Sequence, residues 1–460
     1  MTSPIAKITD ELEAKAAAFV KEHRLPGAAV GVVHGDDLVW SAGVGFADVA
    51  SRRPPGTSTL YRIASITKTF TGTAIMQLRD EGRLHLDDPL VAFVPELRDA
   101  ASPFGPIETV TIRRMLSHES GLTSEPPGTD WSTPPVYEGL IAPNLARIAE
   151  IGTRIPPNAQ QKYSNIAYQL LGEVVTRVTG VPYVDHVRSA ILEPLGMANT
   201  HFEPVSDEAL PRRATGYNAR WLSDELTLAD LSVTIWAEGG LWSCVEDLAR
   251  WISFQLREDG GARDGAQVLA GSTLKEMHTA RYLGNEEWTE AWGITWYAIR
   301  KDGVTWVQHS GGLHGFITNV CFDPKERVGA IVLLNGGMDA VDLSMVLGAL
   351  ARTAVLGAAP LIEPPEPTPD AYRSLLGLYL SRDLGGAYRL EWRDAQLVFV
   401  DPGEPTWRPT LSPTDDPDVF TVDAGVRESG ERVVFNRTAD GRVASVFMAA
   451  DTWARLDPVS

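Results

Sequence analysis

Ser65 and Lys68 stand three residues apart in the segment Ser65-Ile66-Thr67-Lys68, a spacing suited to a nucleophile and its base. A serine hydroxyl attacks a carbonyl carbon efficiently only beside a base and near N–H groups that stabilise the oxyanion. On a helix this spacing places both side chains on one face. Ser65 would begin the helix, where its own N–H can face the oxyanion, and the Lys68 amine could accept its proton. The pair predicts acyl-transfer chemistry.

The S-x-x-K spacing alone is a weak signal, because Ser272-Thr273-Leu274-Lys275 shows it too and most such segments are ordinary helix starts. Two further segments favour the first copy. Tyr163-Ser164-Asn165 is the only Y-x-N in the chain, and His309-Ser310-Gly311 is the only His or Lys followed by Ser or Thr and then Gly. A phenol, an amide and an imidazole from separate elements would then converge on one hydroxyl. The predicted catalytic set is Ser65, Lys68, Tyr163, Asn165 and His309.

Other chemistries find less support in the sequence. No G-x-S-x-G segment occurs, so the nucleophile elbow of other serine hydrolases is absent. The fragment Gly43-Val44-Gly45 lacks the third glycine and the βαβ setting of a dinucleotide site. His309 and His314 suggest a metal, but no third ligand stands at a suitable spacing. We therefore expect neither a cofactor nor a metal.

Several candidate residues also have structural interpretations. Tyr163 or Asn165 alone would usually be a core phenol or a helix N-cap. His118 is more typical of a hydrogen-bonded histidine beneath the site than of a catalyst. Trp131, in the proline-rich stretch 123–137, belongs either to a surface loop or to a wall of the cleft. Trp242 is a candidate substrate contact, for which core packing is the safer interpretation.

Composition and charge limit the possible partners. The chain has 460 residues, of which 44% are hydrophobic and 22% charged, and its formal net charge is −19. This acidic balance makes nucleic acid and an anionic membrane surface poor partners. No apolar run is long enough for a transmembrane helix, and the N-terminal segment is typical of an amphipathic helix, not of a secretory signal. Cys244 and Cys321 are expected to be buried free thiols in a cytoplasmic protein that takes a small-molecule substrate.

The surrounding elements can be predicted from their periodicity. Two apolar runs predict a hairpin with strands at Ala28–Val33 and Leu38–Val44. A helical pattern follows Ser65 and ends near Gly82. Similar patterns predict helices at Ile166–Thr179, Val245–Gln255 and Leu343–Val355. Short turns join four further strands, predicted at Gly293–Ile299, Val304–Gln308, Phe316–Phe322 and Gly329–Leu334. Because short turns require antiparallel neighbours, we expect an α+β domain in which the hairpin and these strands share one sheet.

A proline-rich segment divides the sequence into two domains. Residues 359–370 contain five prolines in close succession and cannot form a helix or a central strand, so they are predicted to be a stiff linker. Residues 1–358 form the α+β domain. Residues 371–460 contain short alternating strands that suggest a small barrel or sandwich. These strands are predicted at Tyr388–Trp392, Leu397–Val400, Arg432–Phe435 and Val443–Met448.

The catalytic set, in this order, resembles that of serine hydrolases of the class C β-lactamase and D-alanyl-D-alanine carboxypeptidase type, over residues 10–356. Residues 115–122, Met-Leu-Ser-His-Glu-Ser-Gly-Leu, are similar to the family's L-L-x-H-x-S-G-L run, and residues 239–243, Gly-Gly-Leu-Trp-Ser, to its G-G-L-x-S stretch. The resemblance implies a β-lactamase/transpeptidase-like fold, with an antiparallel sheet flanked by helices and a helical subdomain. The tail is similar to the lipocalin-like β-barrels found behind some family members.

The resemblance also implies a role for each matching residue. Ser65 would be the nucleophile, Lys68 a base in acylation, and Tyr163 a proton relay that activates the deacylating water. Asn165 would hold the lysine and the substrate, and His309 would polarise or orient from the opposite wall. The N–H groups of Ser65 and Gly312 would form the oxyanion hole. The candidate substrate contacts are Ser310, Gly311, Trp131 and Trp242.

The implied activity is that of a serine hydrolase that forms an acyl-enzyme on Ser65 and acts on carboxylic esters or on small peptides and amides, as an esterase or a D-amino-acid-type peptidase. Three alternatives stay open: a peptide transpeptidase or macrocyclising thioesterase, a β-lactamase, and a non-catalytic penicillin-recognising or scaffolding protein. His309 stands where β-lactamases carry the lysine of K-T-G, and histidine there is common among the family's esterases and D-peptidases. An intact Ser65, Lys68 and Tyr163 disfavours a pure binder, which needs no activated nucleophile.

Overall fold

The computed structural model of this chain contains two compact units. The first comprises Met1–Asn218 and Thr227–Ala358, and the second comprises Ala219–Leu226 and Ala359–Ser460. The residues that the structure describes are 4–125, 137–138, 145, 147–202, 209–218, 228, 233–234, 236–284, 289–301, 303–313, 315–337, 340–357, 368–380, 387–393, 395–400, 409–423, 430–448 and 451–456. Trp131, His314 and most of the predicted linker lie outside these ranges, so their predictions stay untested.

An eight-stranded antiparallel sheet forms the centre of the first unit. In spatial order its strands are β2 (Asp37–Gly45), β1 (Gly27–His34), β12 (Val328–Leu334), β11 (Phe316–Asp323), β10 (Val304–Leu313), β9 (Tyr297–Lys301), β8 (Glu290–Trp292) and β7 (Tyr282–Leu283). Because β1 pairs with β12, the N-terminal hairpin and the late strands share one sheet, as the sequence predicts.

One predicted strand is interrupted. The segment Gly293–Ile299 was expected to be continuous, but β8 ends at Trp292 and β9 begins at Tyr297. The Gly293 N–H donates a hydrogen bond to the Trp296 carbonyl at 2.8 Å, which closes a turn. Thr295 in this turn has a φ of 64°, a value that a β-branched residue seldom adopts and that no regular strand permits.

Two amphipathic helices cover one face of the sheet. Helix α1 (Thr9–Glu22) buries Leu12, Ala16 and Val20, which are spaced by one helical turn. Helix α8 (Val341–Leu356) buries a matching apolar stripe. Together with the outward-facing residues of the strands, such as Val30 and Val332, they form one continuous core. This layer supports the sheet from the side opposite Ser65.

The opposite face is covered by a larger helical layer. Its helices are α2 (Thr67–Asp80), α3 (Ile112–Leu116), α4 (Asn165–Thr179), α5 (Tyr183–Val187), α6 (Val245–Gln255) and α7 (Gly271–His278). Helix α2 lies at the centre of this layer and is buried over most of its length. Gly72 allows close packing there, because a Cβ at this position would lie 1.9 Å from the Thr295 Cγ2. The layer therefore fixes the helix that follows Ser65.

Local capping sets the start and end of α4. The Ser164 side chain accepts a hydrogen bond from the Ala167 N–H at 3.1 Å, which makes Ser164 the N-cap. Gly180, with a φ of 75°, ends the helix in the left-handed conformation. The residues on either side of the cap are Tyr163 and Asn165, so the capped helix start positions both predicted site residues.

The first unit also contains short elements. Two small two-stranded sheets pair β3 (Tyr61–Arg62) with β6 (Trp242–Ser243) and β4 (Tyr137–Glu138) with β5 (Val233–Thr234). A π-helical turn spans Arg188–Leu192. Short 3-10 helices span Pro4–Lys7, Ala64–Ile66, Leu90–Ala92, Pro95–Asp99, Ile107–Thr109, Ile148–Glu150 and Leu210–Arg212.

The second unit is a closed barrel of eight antiparallel strands, each paired with its neighbours in the chain. A short helix, α9 (Asp370–Arg373), precedes it. The strands are β13 (Gly377–Leu380), β14 (Ala387–Arg393), β15 (Gln396–Val400), β16 (Thr410–Pro413), β17 (Val419–Val422), β18 (Arg432–Arg437), β19 (Val443–Met448) and β20 (Asp451–Leu456). Large side chains such as Phe399, Phe420 and Trp453 fill its interior. The barrel, one of the two architectures that the sequence suggested, is confirmed.

Three global predictions can be compared with the described residues. Cys244 and Cys321 are both free and buried, as expected. In the part of the chain that the structure describes, no helix is long and apolar enough to cross a membrane. Within the same residues, no three side chains of the His, Cys, Asp and Glu types come together as a metal site would require.

Candidate active site

Ser65 lies in a short 3-10 helix, Ala64–Ile66, that leads directly into α2. The residue before it, Ala64, has a φ of 45°, which an L-residue other than glycine rarely adopts. Such conformations persist only where the surrounding structure holds them. The Ser65 side chain is half-buried, so its hydroxyl remains accessible from the surface.

Lys68 is the second residue of α2, and its amine contacts the Ser65 hydroxyl. The Lys68 side chain is fully buried. Its Nζ donates a hydrogen bond to Ser65 Oγ at 3.1 Å and a second to the main-chain carbonyl of Glu238 at 2.6 Å. The predicted pairing of hydroxyl and amine across one turn is therefore present.

Aromatic rings surround the Lys68 amine. The Nζ atom lies 4.9 Å from the centre of the Tyr163 ring and 5.6 Å from that of Tyr168. The Tyr163 ring therefore lies beside the Lys68 amine, whereas its approach to the Ser65 hydroxyl stays a prediction. The Tyr163 hydroxyl makes no hydrogen bond to either residue, so the proton relay assigned to Tyr163 stays a prediction.

His118 supports Tyr163 from beneath. The two rings stack with centroids 4.2 Å apart, and the Ser164 N–H donates to His118 Nδ1 at 3.2 Å. Burial, together with the nearby charge of Lys68, holds the pKa of His118 well below its ordinary value. A neutral, hydrogen-bonded histidine under the site is what the sequence favoured over a catalytic His118.

Asn165 has a different partner from the one expected. The sequence interpretation gave it the task of holding the lysine, which the Glu238 carbonyl performs instead. The Asn165 Nδ2 donates to Glu125 Oε1 at 2.6 Å. The second carboxyl oxygen of Glu125 is buried and has no hydrogen-bond partner among the described residues. Burial raises the pKa of Glu125, although Asn165 and the charge of Lys68 oppose the shift.

Strand β10 lies directly against the turn that carries Ser65. A Cβ at Gly311 would lie only 2.1 Å from the Ile63 carbonyl oxygen, so the close approach requires glycine. Thr318, opposite Gly311 on β11, donates from Oγ1 to the same oxygen at 3.2 Å. These contacts fix the Ser65 turn against the edge of β10.

The N–H of Ser65 is free to stabilise an oxyanion. As the second residue of a helix, Ser65 has no acceptor for its N–H within that helix. Among the described residues, the pairing of β10 with β9 ends at Gln308. Gly312, which follows Gly311, lies beyond this point on β10. Ser310 and Gly312 are exposed, while Gly311 is buried. The placement of Ser65 and Gly312 is compatible with the predicted oxyanion hole.

His309 is a buried neutral imidazole. Its Nδ1 donates to the Ser310 carbonyl at 2.6 Å, which leaves Nε2 as an acceptor without a partner. Burial, reinforced by the charge of Lys68, lowers the pKa of His309 to about 3. The ring packs edge-on against Trp292, at 6.1 Å between centroids. His309 therefore carries no positive charge with which to attract a substrate carboxylate.

Trp242, one of the candidate substrate contacts, is buried in the core. Its side chain is buried in the short sheet formed by β3 and β6. The guanidinium groups of Arg62 and Arg213 lie over its ring, at 4.7 and 3.9 Å from the centroid. The aromatic face that a ligand would use is taken up by these cations, so core packing is its role.

Comparison with known proteins identifies the family. The family model described as Beta-lactamase matches residues 12–351. The chain belongs to the beta-lactamase family. Members of this family are serine hydrolases. The segment Ala359–Ser460 of the second unit lies outside the matched range.

Two curated relatives of this beta-lactamase family member extend the comparison. Protein flp of Staphylococcus aureus strain N315 is 28% identical over 318 residues, which are 69% of this chain and 61% of that protein. The chain thus spans less than two thirds of the length of that relative. Penicillin-binding protein 4 of Amycolatopsis lactamdurans is 29% identical over 383 residues, which are 79% of this chain and 95% of that protein.

Solved structures show the same fold. The octameric penicillin-binding protein homologue from Pyrococcus abyssi superposes with a TM-score of 0.68 at 24% identity, over 97% of this chain and 99% of that one. A class C beta-lactamase superposes with a TM-score of 0.64 at 20% identity, over 78% of this chain and 98% of that one. These similarities confirm the β-lactamase/transpeptidase-like fold predicted from the sequence.

Two site residues of this family member were missed from the sequence. Glu238 acts through its main-chain carbonyl, and a carbonyl oxygen has no residue-type signature. Its carboxyl group is also fully buried, and burial raises the pKa of Glu238 to about 7 against the opposing hydrogen bond from Gln169. Glu125 was named only as part of the stretch 123–137. An acidic residue shortly after the Ser120-Gly121-Leu122 run was the signal that could have revealed it.

Proposed function

We propose that this chain is a serine hydrolase that forms an acyl-enzyme on Ser65 and acts on carboxylic esters or on small peptides and amides. The hydrogen bond between Lys68 Nζ and Ser65 Oγ, at 3.1 Å, carries the proposal. Burying the Lys68 amine costs free energy, and packing alone would be better served by an apolar side chain. Because such costly groups are concentrated at functional sites, the buried amine beside the half-buried Ser65 hydroxyl supports a catalytic role.

Acylation follows from this pair. In its neutral form the Lys68 amine takes the Ser65 proton while Oγ bonds to the substrate carbonyl carbon. The Glu238 carbonyl keeps Nζ oriented toward Oγ throughout. The negative charge that develops on the carbonyl oxygen is stabilised by the N–H groups of Ser65 and Gly312. The carbon–leaving group bond then breaks, and the proton passes to the departing alcohol or amine.

Deacylation requires a second nucleophile and a route for its proton. We assign the activation of the attacking water to Tyr163, whose ring adjoins Lys68. The water oxygen bonds to the acyl carbon, and Oγ of Ser65 leaves and regains a proton. If an amine replaces water, the same step becomes transpeptidation or macrocyclisation, which is the principal alternative.

The neutral His309 favours esters and peptides over β-lactam antibiotics. A lysine at this position would offer a cation to a substrate carboxylate, whereas the pKa of His309 near 3 leaves its ring uncharged. A β-lactamase therefore remains a weaker alternative. A penicillin-recognising or scaffolding protein without activity is weaker still, because the Lys68–Ser65 hydrogen bond would then have no use.

Glu125 favours substrates that carry a hydrogen-bond donor next to the scissile carbonyl. Its Oε1 accepts a hydrogen bond from Asn165, while its buried Oε2 has no partner in the part of the chain that the structure describes. A substrate ammonium or amide N–H could satisfy this oxygen. Aminoacyl esters and amides, including those of D-amino acids, fit this requirement better than simple alkanoyl esters. The cytoplasmic location stays a prediction.

Labelling with a fluorophosphonate and turnover of p-nitrophenyl acetate test the enzyme proposal. The native chain should be labelled once and should release p-nitrophenol, whereas Ser65→Ala should do neither. Ser272→Ala, in the second S-x-x-K segment, is the matched control and should behave as the native chain. Equal behaviour of native protein and Ser65→Ala would exclude the enzyme and favour the binding protein.

A substrate panel tests the proposed class. It comprises p-nitrophenyl esters, D- and L-aminoacyl p-nitroanilides, peptidyl thioesters and nitrocefin, ranked by kcat/KM. We expect esters and aminoacyl substrates to exceed nitrocefin. A preference for nitrocefin would contradict the weight placed on the neutral His309.

A further inference from the structure

The Glu238 carbonyl that orients Lys68 belongs to the segment 236–241, and Thr71 of α2 holds this segment. Thr71 is fully buried and stands three residues after Lys68, so both side chains lie on one face of the helix. Its Oγ1 donates a hydrogen bond to the Ala237 carbonyl at 2.5 Å, one residue before the carbonyl that accepts from Lys68 Nζ. One face of α2 therefore binds two consecutive carbonyls of the segment.

A second hydroxyl fixes the direction of the Thr71 hydrogen bond. Tyr183 Oη lies 2.7 Å from Thr71 Oγ1. The Ala237 carbonyl can only accept and takes the single hydroxyl proton of Thr71, so Tyr183 is the donor to Thr71. The Thr67 carbonyl, 3.4 Å from Thr71 Oγ1, is a weaker acceptor for the same proton. Burial raises the pKa of Tyr183, so its phenol retains the proton that it donates. A chain of hydrogen bonds thus runs from Tyr183 through Thr71 to the Ala237 carbonyl.

Thr67 holds the other end of the segment. The Leu241 N–H donates a hydrogen bond to Thr67 Oγ1 at 3.2 Å. Within the segment, the Gly240 N–H donates to the Trp236 carbonyl at 3.0 Å. The turn that presents the Glu238 carbonyl is therefore closed on itself and attached to α2 on both sides of that carbonyl.

We propose that Thr71 is a positioning residue for acylation: by holding the Ala237 carbonyl it fixes the neighbouring Glu238 carbonyl, and this carbonyl keeps Lys68 Nζ at Ser65 Oγ. A lysine amine is carried on a flexible four-carbon stem, so its position depends on acceptors that are themselves fixed. A displacement of about 1 Å in a reacting group can slow a reaction about a hundredfold. The inference rests on the proposed function, because the position of Lys68 matters to the rate only if Lys68 is the base.

Thr71→Val tests the proposal, because valine has nearly the shape of threonine but no hydroxyl group. Thr73→Val is the matched control: Thr73 is equally buried on α2, and its Oγ1 donates within the helix, to the Thr69 carbonyl at 2.9 Å. The rate of acylation of Ser65 by p-nitrophenyl acetate is measured by rapid mixing and intact-protein mass spectrometry. We expect Thr71→Val to be acylated about tenfold more slowly than the native protein, and Thr71→Ser and Thr73→Val to stay within about twofold of it. Equal rates for Thr71→Val and the native protein would overturn the proposal.

A double-mutant cycle with Lys68→Met separates positioning from a general loss of packing. Labelling by a fluorophosphonate, followed over hours, allows the slow variants to be compared. If Thr71 acts through Lys68, Thr71→Val should slow labelling about tenfold in the native background but less than about twofold in Lys68→Met. An equal effect in both backgrounds would leave Thr71 a structural role alone and overturn the proposal.

The outcomes also distinguish this inference from the proposed function. A native protein that is not acylated on Ser65 would refute the proposed function and the inference together. Acylation of the native protein, combined with equal effects of Thr71→Val in both backgrounds, would refute the inference alone. If Thr71→Val does not fold in urea unfolding experiments, Tyr183→Phe replaces it in the same cycle, since it removes the donor to Thr71. Its expected effect is a slowing of about threefold that disappears in Lys68→Met, and the absence of any slowing would overturn the proposal.

Discussion

Replacing Glu238 with Gln should change how the stability of the protein depends on pH. The Glu238 carboxyl is buried, and burial raises its pKa from an ordinary value near 4.5 to about 7, although Gln169 and the charge of Lys68 oppose the shift. The carboxamide of glutamine has nearly the same shape as a protonated carboxyl group and cannot ionise, so it would retain the packing. The substitution therefore isolates the cost of ionising this one buried group.

The sign follows from the protons bound in each state. Between pH 4.5 and 7 the folded protein retains a proton on Glu238 that the unfolded chain has lost. The free energy of unfolding therefore falls as pH rises through this window and levels off above pH 7. The difference of about 2.5 pKa units corresponds to about 3 kcal/mol. Glu238→Gln has no carboxyl group to ionise, so its free energy of unfolding should not fall in this way. The difference in free energy of unfolding between Glu238→Gln and the native protein should therefore rise by about 3 kcal/mol from pH 4.5 to pH 8.

Urea unfolding of both proteins at several pH values between 4.5 and 8.5 measures this difference. Far-UV circular dichroism and tryptophan fluorescence should be recorded together, because the two units can unfold in separate transitions. Glu258→Gln, at an exposed position, is the control and should track the native protein at every pH. A difference between Glu238→Gln and native protein that does not vary with pH would refute the assignment of a protonated, buried carboxyl.

Three further predictions concern specificity and packing. Glu125→Gln should reduce the preference for an aminoacyl p-nitrophenyl ester over p-nitrophenyl acetate, measured as the ratio of their kcat/KM values, by about tenfold. An unchanged ratio would exclude Glu125 from substrate recognition. Gly311→Ala should slow labelling of the nucleophile about a hundredfold by displacing its turn, whereas Gly56→Ala, where a Cβ meets nothing within 4 Å, should not. Gly72→Ala should lower the free energy of unfolding by about 1–3 kcal/mol, and adding Thr295→Ala should restore part of it in urea unfolding; no rescue would contradict the close contact.

The helices and strands around the site could be predicted where a clear hydrophobic periodicity marks them in the sequence. The hairpin, the helix after Ser65 and the helices at 166–179, 245–255 and 343–355 appear within a few residues of their expected bounds. The break between β8 and β9 was not predictable, because Ile294, Thr295 and Trp296 have the composition of a strand. Only the hydrogen bond across this turn and the left-handed Thr295 end the strand there.

In the candidate active site, too, some contacts could be predicted from the sequence and others could not. The meeting of Ser65 and Lys68 follows from their spacing on one helix, so the sequence predicts it directly. The approach of Tyr163 depends on the packing of α2 against α4. The sequence predicts it only indirectly, from the presence of the S-x-x-K, Y-x-N and H-S-G segments in one chain. The partner of Asn165 and the carbonyl that holds Lys68 come from loops whose path no residue pattern specifies. Trp242 was named as a candidate substrate contact although core packing was the safer interpretation, because an aromatic residue is equally suited to a core and to the wall of a binding site.

The rate at which Ser65 is acylated, with and without the Lys68 amine, tests the central claim most directly. Lys68→Met retains a long, unbranched side chain in the buried position but removes the base, and Lys275→Met is the matched control in the other S-x-x-K segment. Intact-protein mass spectrometry after rapid mixing with p-nitrophenyl acetate would follow the acyl-enzyme. We expect acylation of Lys68→Met to be slower by about 10²–10⁴-fold, with Lys275→Met unchanged. A Lys68→Met protein that is acylated within a few-fold of the native rate would show that Lys68 does not activate Ser65.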